Sequence, residues 1–392
     1  MESTVAPTED TNFGFEETEA EADALDRDIR YHTGYEFEWR TKSCPEMCRC
    51  TINDLREKKV NCEHADLTKR RQPIPMDLTI LIVKNSTFDL QKISIMRDYV
   101  TKLEIVDTEY NAVSNVDFDG FDHLDELTIS GADLTEISQD AFEDIKSLRT
   151  LDLSHNDLVK IPAAIFVNLT QLETIVLQNN SLEILDKDTF ARMPNLRTLN
   201  LIDTGIEDFH PEITVGNTQL ETLWLDQNLL VDVPDLRHLA SLEMVRLSNN
   251  PIEFFKQNDF YQMKHLKSVT ADEMAFLIAI EPRAFADLPA LRDVSISYSP
   301  MLSFIHPLAF LNCPNIRTLT LAGNALFTLG DLRPALPNLR VLNLEQVVYT
   351  VDLRTYIWNI NLEFPKYQKT LNISKKSFVF FEFFRFIALK IC

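Results

Sequence analysis

A short phrase, apolar-x-x-apolar-x-apolar, returns twelve times along this chain of 392 residues. Its first apolar residue falls at Leu78, Val100, Leu124, Leu148, Leu172, Leu196, Leu220, Leu242, Leu266, Leu291, Ile316 and Leu339, mostly 24 residues apart, with extremes of 22 and 25. A unit that short cannot enclose a core alone, so such a period requires units stacked in a row, each burying its apolar face against the next. The phrase therefore predicts a solenoid with one coil per repeat over residues 78–346.

The unit from Leu148 to Thr170 shows how each position is used. Alternation from Leu148 through Leu151 to Leu153 predicts a short strand with one face inward, because strand side chains alternate at period two. Asn156 follows where the chain leaves the strand, and an inward amide there can pair backbone groups of adjacent coils that burial would otherwise orphan. Asn180, Asn228, Asn250 and Asn324 recur at that position; Ser86, Thr108, Thr204 and Ser299 are weaker substitutes, and Ala132, Met274 and Val347 offer nothing. A column of Phe142, Phe166, Phe190, Phe260, Phe285 and Phe310 marks the opposite side of the coils. Burying one such Leu or Phe stabilises by roughly 1.5–3 kcal/mol, so the summed columns outweigh any single polar contact.

These units resemble the 24-residue typical class of extracellular leucine-rich repeats, over about Leu78 to Leu344. Upstream stand Cys44-Pro45-Glu46-Met47-Cys48-Arg49-Cys50 and Cys62, a pattern similar to the N-terminal cysteine cap (residues 44–77) of secreted and cell-surface members. The resemblance implies an α/β solenoid, a horseshoe with a short parallel concave β-sheet and an irregular or 3₁₀ convex side. Four cysteines allow three pairings; the resemblance favours Cys44 with Cys50 and Cys48 with Cys62. A zinc site on these cysteines and His64 is disfavoured, because the spacing lacks two Cys-x-x-Cys knuckles. The cap and its disulfides imply a location outside the cell or at its surface, with a receptor or adhesion ectodomain as the expected role and a secreted matrix protein resembling the small leucine-rich proteoglycans, or an intracellular scaffold, as the alternatives. Cys313 falls in an apolar register and is expected to be a small buried residue, while Cys392 has no partner that sequence can name.

Thirty-eight basic and sixty acidic residues give a net charge of −22, which disfavours binding to nucleic acid. No uninterrupted apolar run reaches the length of a membrane span, so any membrane association is expected through a segment outside this sequence. Met1-Glu2-Ser3-Thr4 lacks the basic start and apolar core of a secretory signal; against the cap, this predicts a leader missing upstream. Residues 1–43 read as a disordered acidic extension in which Tyr31 and Tyr35, among Asp and Glu, are candidates for sulfation. Residues 347–392 depart from the family: no C-terminal cap is recognised, and Ser377 to Phe386 is Phe-rich.

Ser154-His155-Asn156-Asp157 contains the letters of a catalytic triad, but neighbours on a strand and turn point in different directions. With no glycine-rich phosphate loop or metal-binding pattern, no catalysis, cofactor or metal is expected. Function is expected on the concave sheet, where strand alternation turns Val176, Asn200, Trp224 and Arg246 outward, with Ile202 in the next column and Asp203, Asp226 and Gln227 as a polar rim. An apolar and cationic cluster of this kind has the composition of a protein-binding hot spot. Acceptor sequons begin at Asn85, Asn168, Asn179 and Asn372. Asn168 is expected on the convex side, whereas sugar at Asn85 or Asn179 would narrow the concave face.

Overall fold

The computed structural model describes residues 44–347, apart from short internal stretches (46, 54, 69–73, 75–76, 88, 91–96, 111, 114, 183–184, 330–331 and 333), and two short strands at Phe37–Glu38 and Thr370–Asn372. Each repeat contributes one strand to a single 16-stranded sheet, parallel from Lys58–Glu63 onward. The register is direct: Leu151 lies beside Ile175, Ile175 beside Leu199, Leu199 beside Leu223 and Leu223 beside Val245. All five are buried, as the period-two pattern requires, and most of their strand neighbours stay half-covered on the other face, Asn200 being buried and Met244 exposed.

Helix is scarce. One four-residue α-helical turn, Asn115–Phe118, and 3₁₀ turns at Ala163–Phe166 and Pro211–Thr214 close the coils at the back. Over four repeats the far side is more regular than expected: Phe254–Phe255, Ala279–Ile280, Phe304–Ile305 and Thr328–Leu329 form a second parallel sheet. The Phe column is fully buried, with Phe260 on Phe285 at 4.8 Å and Phe285 on Phe310 at 5.2 Å, both stacked. Between Phe190 and Phe260 the column is interrupted by polar groups. There Asn217 donates to the carbonyls of Phe190 (2.8 Å) and Met193 (2.9 Å), and Thr214 Oγ1 lies 2.8 Å from His238 Nε2. Burial lowers the His238 pKa.

The asparagine positions form a ladder of backbone pairing. Asn156 Oδ1 accepts from the amides of Ala132 (3.0 Å) and Leu134 (3.2 Å), while its Nδ2 donates to the carbonyls of Ile129, Leu153 and Ser154. Ser299 stands in with fewer bonds: its Oγ accepts from Met274 N at 3.2 Å and donates to Ser297 O at 3.4 Å. Cys313 is buried and its Sγ donates to Phe285 O at 2.6 Å; burial pushes the thiol up to about 11.

At the N-terminal end Cys48–Ile52 and Lys58–Glu63 form an antiparallel hairpin, with disulfides joining Cys44 to Cys50 and Cys48 to Cys62. The second hairpin strand then pairs in parallel with Ile80–Lys84, so the cap feeds directly into the first coil. Losing such a disulfide typically costs about 2–5 kcal/mol. Cys48→Ser is therefore expected to release the amides of Lys58–Glu63 to hydrogen exchange well before those of Thr198–Asn200. Equal protection in both strands would show that the cap does not depend on this bond.

At both ends the sheet takes in a short strand outside residues 44–346. Phe37–Glu38 pairs antiparallel with Thr51 and Ile52, placing a strand inside the 1–43 segment expected to be disordered. Thr370–Asn372 pairs in parallel with Val341–Asn343, so the sheet continues beyond residue 346. Tyr31, Tyr35, the Phe-rich run and Cys392 lie outside the described residues.

Candidate ligand-binding surface

Trp224 occupies the outward slot between buried Leu223 and Leu225, and strand pairing sets Asn200 on one side of it and Arg246 on the other. The Arg246 guanidinium sits 5.7 Å from the indole centroid, within cation–π range. The indole N–H is covered and has no hydrogen-bond acceptor. Val176 and Ile202 are half-exposed on neighbouring coils, Val176 being separated from Trp224 by Asn200.

Three of the polar residues read as site or rim hold the surface together instead. Asp226 is buried beneath Arg246, which donates from Nε to Oδ2 at 2.9 Å, while Oδ1 accepts from Ser248 N at 3.0 Å. It is therefore not a rim residue: a carboxylate in that column finds both a backbone amide and a guanidinium from the next coil. Asn200, also buried, donates to Gln178 Oε1 at 2.8 Å and accepts from Ile202 N at 3.0 Å. Removing Arg246 would leave the buried Asp226 carboxylate bonded to the Ser248 amide but without a counter-charge, so Arg246 serves structure as well as surface. Asp203 and Gln227 are exposed at the corner where each coil leaves the sheet.

That corner has a backbone signature invisible in the sequence pattern. His155, Asn179, Asp203, Gln227, Asn249, Glu273 and Tyr298 occupy equivalent positions, all with φ between 55° and 57° except Asp203 at 51°. The side-chain types share nothing, because the conformation is imposed by pairing between coils: Asp203 N donates to Asp226 O at 3.0 Å and Gln227 N to Ser248 O at 2.8 Å.

Of the sequon asparagines, Asn85 and Asn179 are exposed at these corners, and the Asn179 amide nitrogen lies 3.0 Å from His155 Nδ1. Asn168 is half-buried just after the Ala163–Phe166 turn, and Asn372 lies in the last strand. His155 contacts Gln178 and Asn179, while Ser154 Oγ lies 3.1 Å from Ser130 Oγ.

Sequence reasoning missed a second column, the residue following the first leucine of each phrase. It alternates in sign as Asp125, Arg149, Glu173, Arg197 and Glu221, with Arg149 bonded to Glu173 at 2.5 Å and Arg197 paired with Glu221. Glu243 pairs with Lys267 at 2.6 Å. The last three members, Arg292, Arg317 and Arg340, are all basic and exposed. The signal was present in Pro314-Asn315-Ile316-Arg317 and Pro337-Asn338-Leu339-Arg340, where Asn315 and Asn338 tie the turn to the preceding coil.

A disulfide-capped solenoid with one continuous 16-stranded sheet, parallel through its repeats, defines a class of repeat protein. Leucine-rich repeat models match residues 98–158, 151–206, 195–252 and 275–326, more than half of the chain, which thus belongs to the leucine-rich repeat family. No curated protein matches the chain significantly in sequence. Among solved structures it is similar to TLR13 in a complex with ssRNA13, at 22% identity and a TM-score of 0.65. It is also similar to the leucine-rich repeats of FLRT2 in an octameric complex with Latrophilin 3 and Unc5D (19%, 0.58), and to the Drosophila Toll–Spatzle complex (16%, 0.58). The matches cover 72%, 84% and 88% of this chain, which spans 42% of the TLR13 chain, 92% of the FLRT2 one and 58% of the Toll one. At these identities the likeness is one of fold.

Proposed function

We propose that this chain is a non-catalytic module that binds a protein ligand on its concave sheet around Trp224, as the ectodomain of a cell-surface receptor or adhesion protein. The carrying observation is Trp224 itself, a half-exposed aromatic ring fixed outward by its strand with the Arg246 guanidinium 5.7 Å from its centroid. A partner side chain packed on the exposed part of the ring would cover the indole and shield the Arg246 contact at once, a combination that makes tryptophan a frequent hot spot. The two disulfides of the cap support an oxidising, extracellular compartment. The net charge of −22 supports a protein ligand over a nucleic acid, although TLR13, similar in fold, is solved with single-stranded RNA.

A central interface tryptophan typically contributes about 2 kcal/mol or more, roughly thirtyfold in affinity. In a pairwise screen of extracellular ectodomains, with single-stranded RNA as comparator, the secreted chain is expected to retain a protein partner. Trp224→Ala is expected to weaken that partner at least tenfold while leaving thermal unfolding nearly unchanged. Undiminished binding by the variant, or preference for RNA, would refute the assignment.

A further inference from the structure

Over seven coils this flank mixes the two signs, with Asp125, Glu173, Glu221 and Glu243 among Arg149, Arg197 and Lys267, and then only basic residues follow. Arg292, Arg317 and Arg340 follow one another directly, joined by backbone bonds from Arg317 N to Arg292 O (2.7 Å) and from Arg340 N to Arg317 O (2.8 Å). Coils paired in this way lie about 4.8 Å apart, so three guanidiniums share a strip about 10 Å long. Among the described residues none of the three forms an ion pair, and the nearest carboxylate in sequence, Asp293, is not within pairing distance of any. Like charges side by side on a sheet are destabilising, and they are the more conspicuous in a chain with a net charge of −22. The strip is exposed and lacks the counter-charge that the same column supplies to Arg149, Arg197 and Lys267.

The surface beside the strip is shaped to receive a chain. Between the strip and the far corner the sheet floor is mostly small, with Ser295, Ser297, Thr318, Thr320 and Ala322, and carries carboxylates at Asp293 and Glu345. Across the floor stands Tyr298, 52% exposed, its ring lying over Gly323 so closely that a Cβ there would meet Cδ1 at 2.5 Å. A low polar floor thus runs between a cationic wall and an aromatic one.

We propose that this channel binds an extended acidic peptide segment of a protein partner, with carboxylates of a short Asp/Glu run on Arg292, Arg317 and Arg340 and its backbone passing Tyr298. A strip of about 10 Å corresponds to about three residues of extended chain, so a brief acidic run satisfies it. A long polyanion would have to continue over an acidic surface that repels it. Guanidinium favours planar carboxylate in bidentate geometry. The site lies three coils from Trp224 and does not depend on the role assigned to that residue.

The test uses a fluorescein-labelled Glu-rich peptide in fluorescence anisotropy, alongside a heparin oligosaccharide and single-stranded RNA. The peptide is expected to bind best, more weakly as salt rises. The triple variant R292A/R317A/R340A is expected to lose at least tenfold in affinity with its thermal midpoint unchanged, since the three side chains are exposed. The control R149A/R197A/K267A alters net charge by the same amount but removes only paired cations, and should bind almost as well as the native chain. Trp224→Ala should also leave peptide binding intact. No peptide binding at low salt, equal losses in both triple variants, or tighter binding of heparin or RNA would each overturn the proposal.

Discussion

Replacing Asn228 by alanine is expected to lower stability by about 4 kcal/mol, far more than an average surface substitution. Its Oδ1 accepts from the amides of Thr204 and Ile206, both at 3.1 Å, and shares the single Thr204 hydroxyl proton with Leu201 O, while Nδ2 donates to the carbonyls of Leu201, Leu225 and Asp226. The carbonyls have some cover after the change: Leu201 O still accepts from Thr204 Oγ1, and Leu225 O from Asn250. The two amides have none. Each buried donor left unpaired costs about 1–3 kcal/mol, and the two together set the expected loss. Because repeat arrays need not unfold in one step, hydrogen exchange should accompany denaturant titration, with protection falling first at Thr204 and Ile206. Ser299→Ala, which removes a single accepted bond from Met274, should cost less. A loss below about 1 kcal/mol for Asn228→Ala would mean that water or backbone shift replaces the ladder freely.

Gly216→Ala is the second large effect, and its cause is space rather than backbone freedom. Gly216 has no left-handed φ; instead, a Cβ would lie 1.8 Å from the carbonyl oxygen of Ala191 and 2.9 Å from its carbon, both in the preceding coil. Neither atom can rotate away as a side chain would, so two coils must separate beside Asn217, whose bonds to Phe190 and Met193 hold the same gap. Overpacking of well-filled interiors costs about 1–3 kcal/mol and sometimes more, and this contact belongs at or above the upper end. Gly205 is the comparison: its φ is +76° but nothing lies within 4 Å of a Cβ. Gly205→Ala meets only the left-handed penalty of about 1–2 kcal/mol. Parallel denaturation of the two variants tests the argument, which fails if Gly205→Ala is the more damaging.

Periodicity alone determined the coils, the inward strand residues, the asparagine ladder and the outward direction of Trp224. Each follows from a residue type recurring at a fixed interval, and stacking makes every interval a spatial column. The four cap cysteines were equally legible as a group, although three pairings were open until the hairpin brought Cys48 beside Cys62. What only the tertiary structure decided depends on distances between coils. The left-handed corner accepts His, Asn, Asp, Gln, Glu and Tyr alike because backbone bonds from the next coil enforce it. Asp226 reads as an exposed rim residue until Arg246 and the Ser248 amide, both one repeat later, close over it. Gly216 is indistinguishable from a turn glycine until the carbonyl of Ala191 is placed beside it. In a solenoid, a side chain's direction is set within its own repeat and can be read from sequence, but its partner comes from the neighbouring repeat, and only stacking brings the two together.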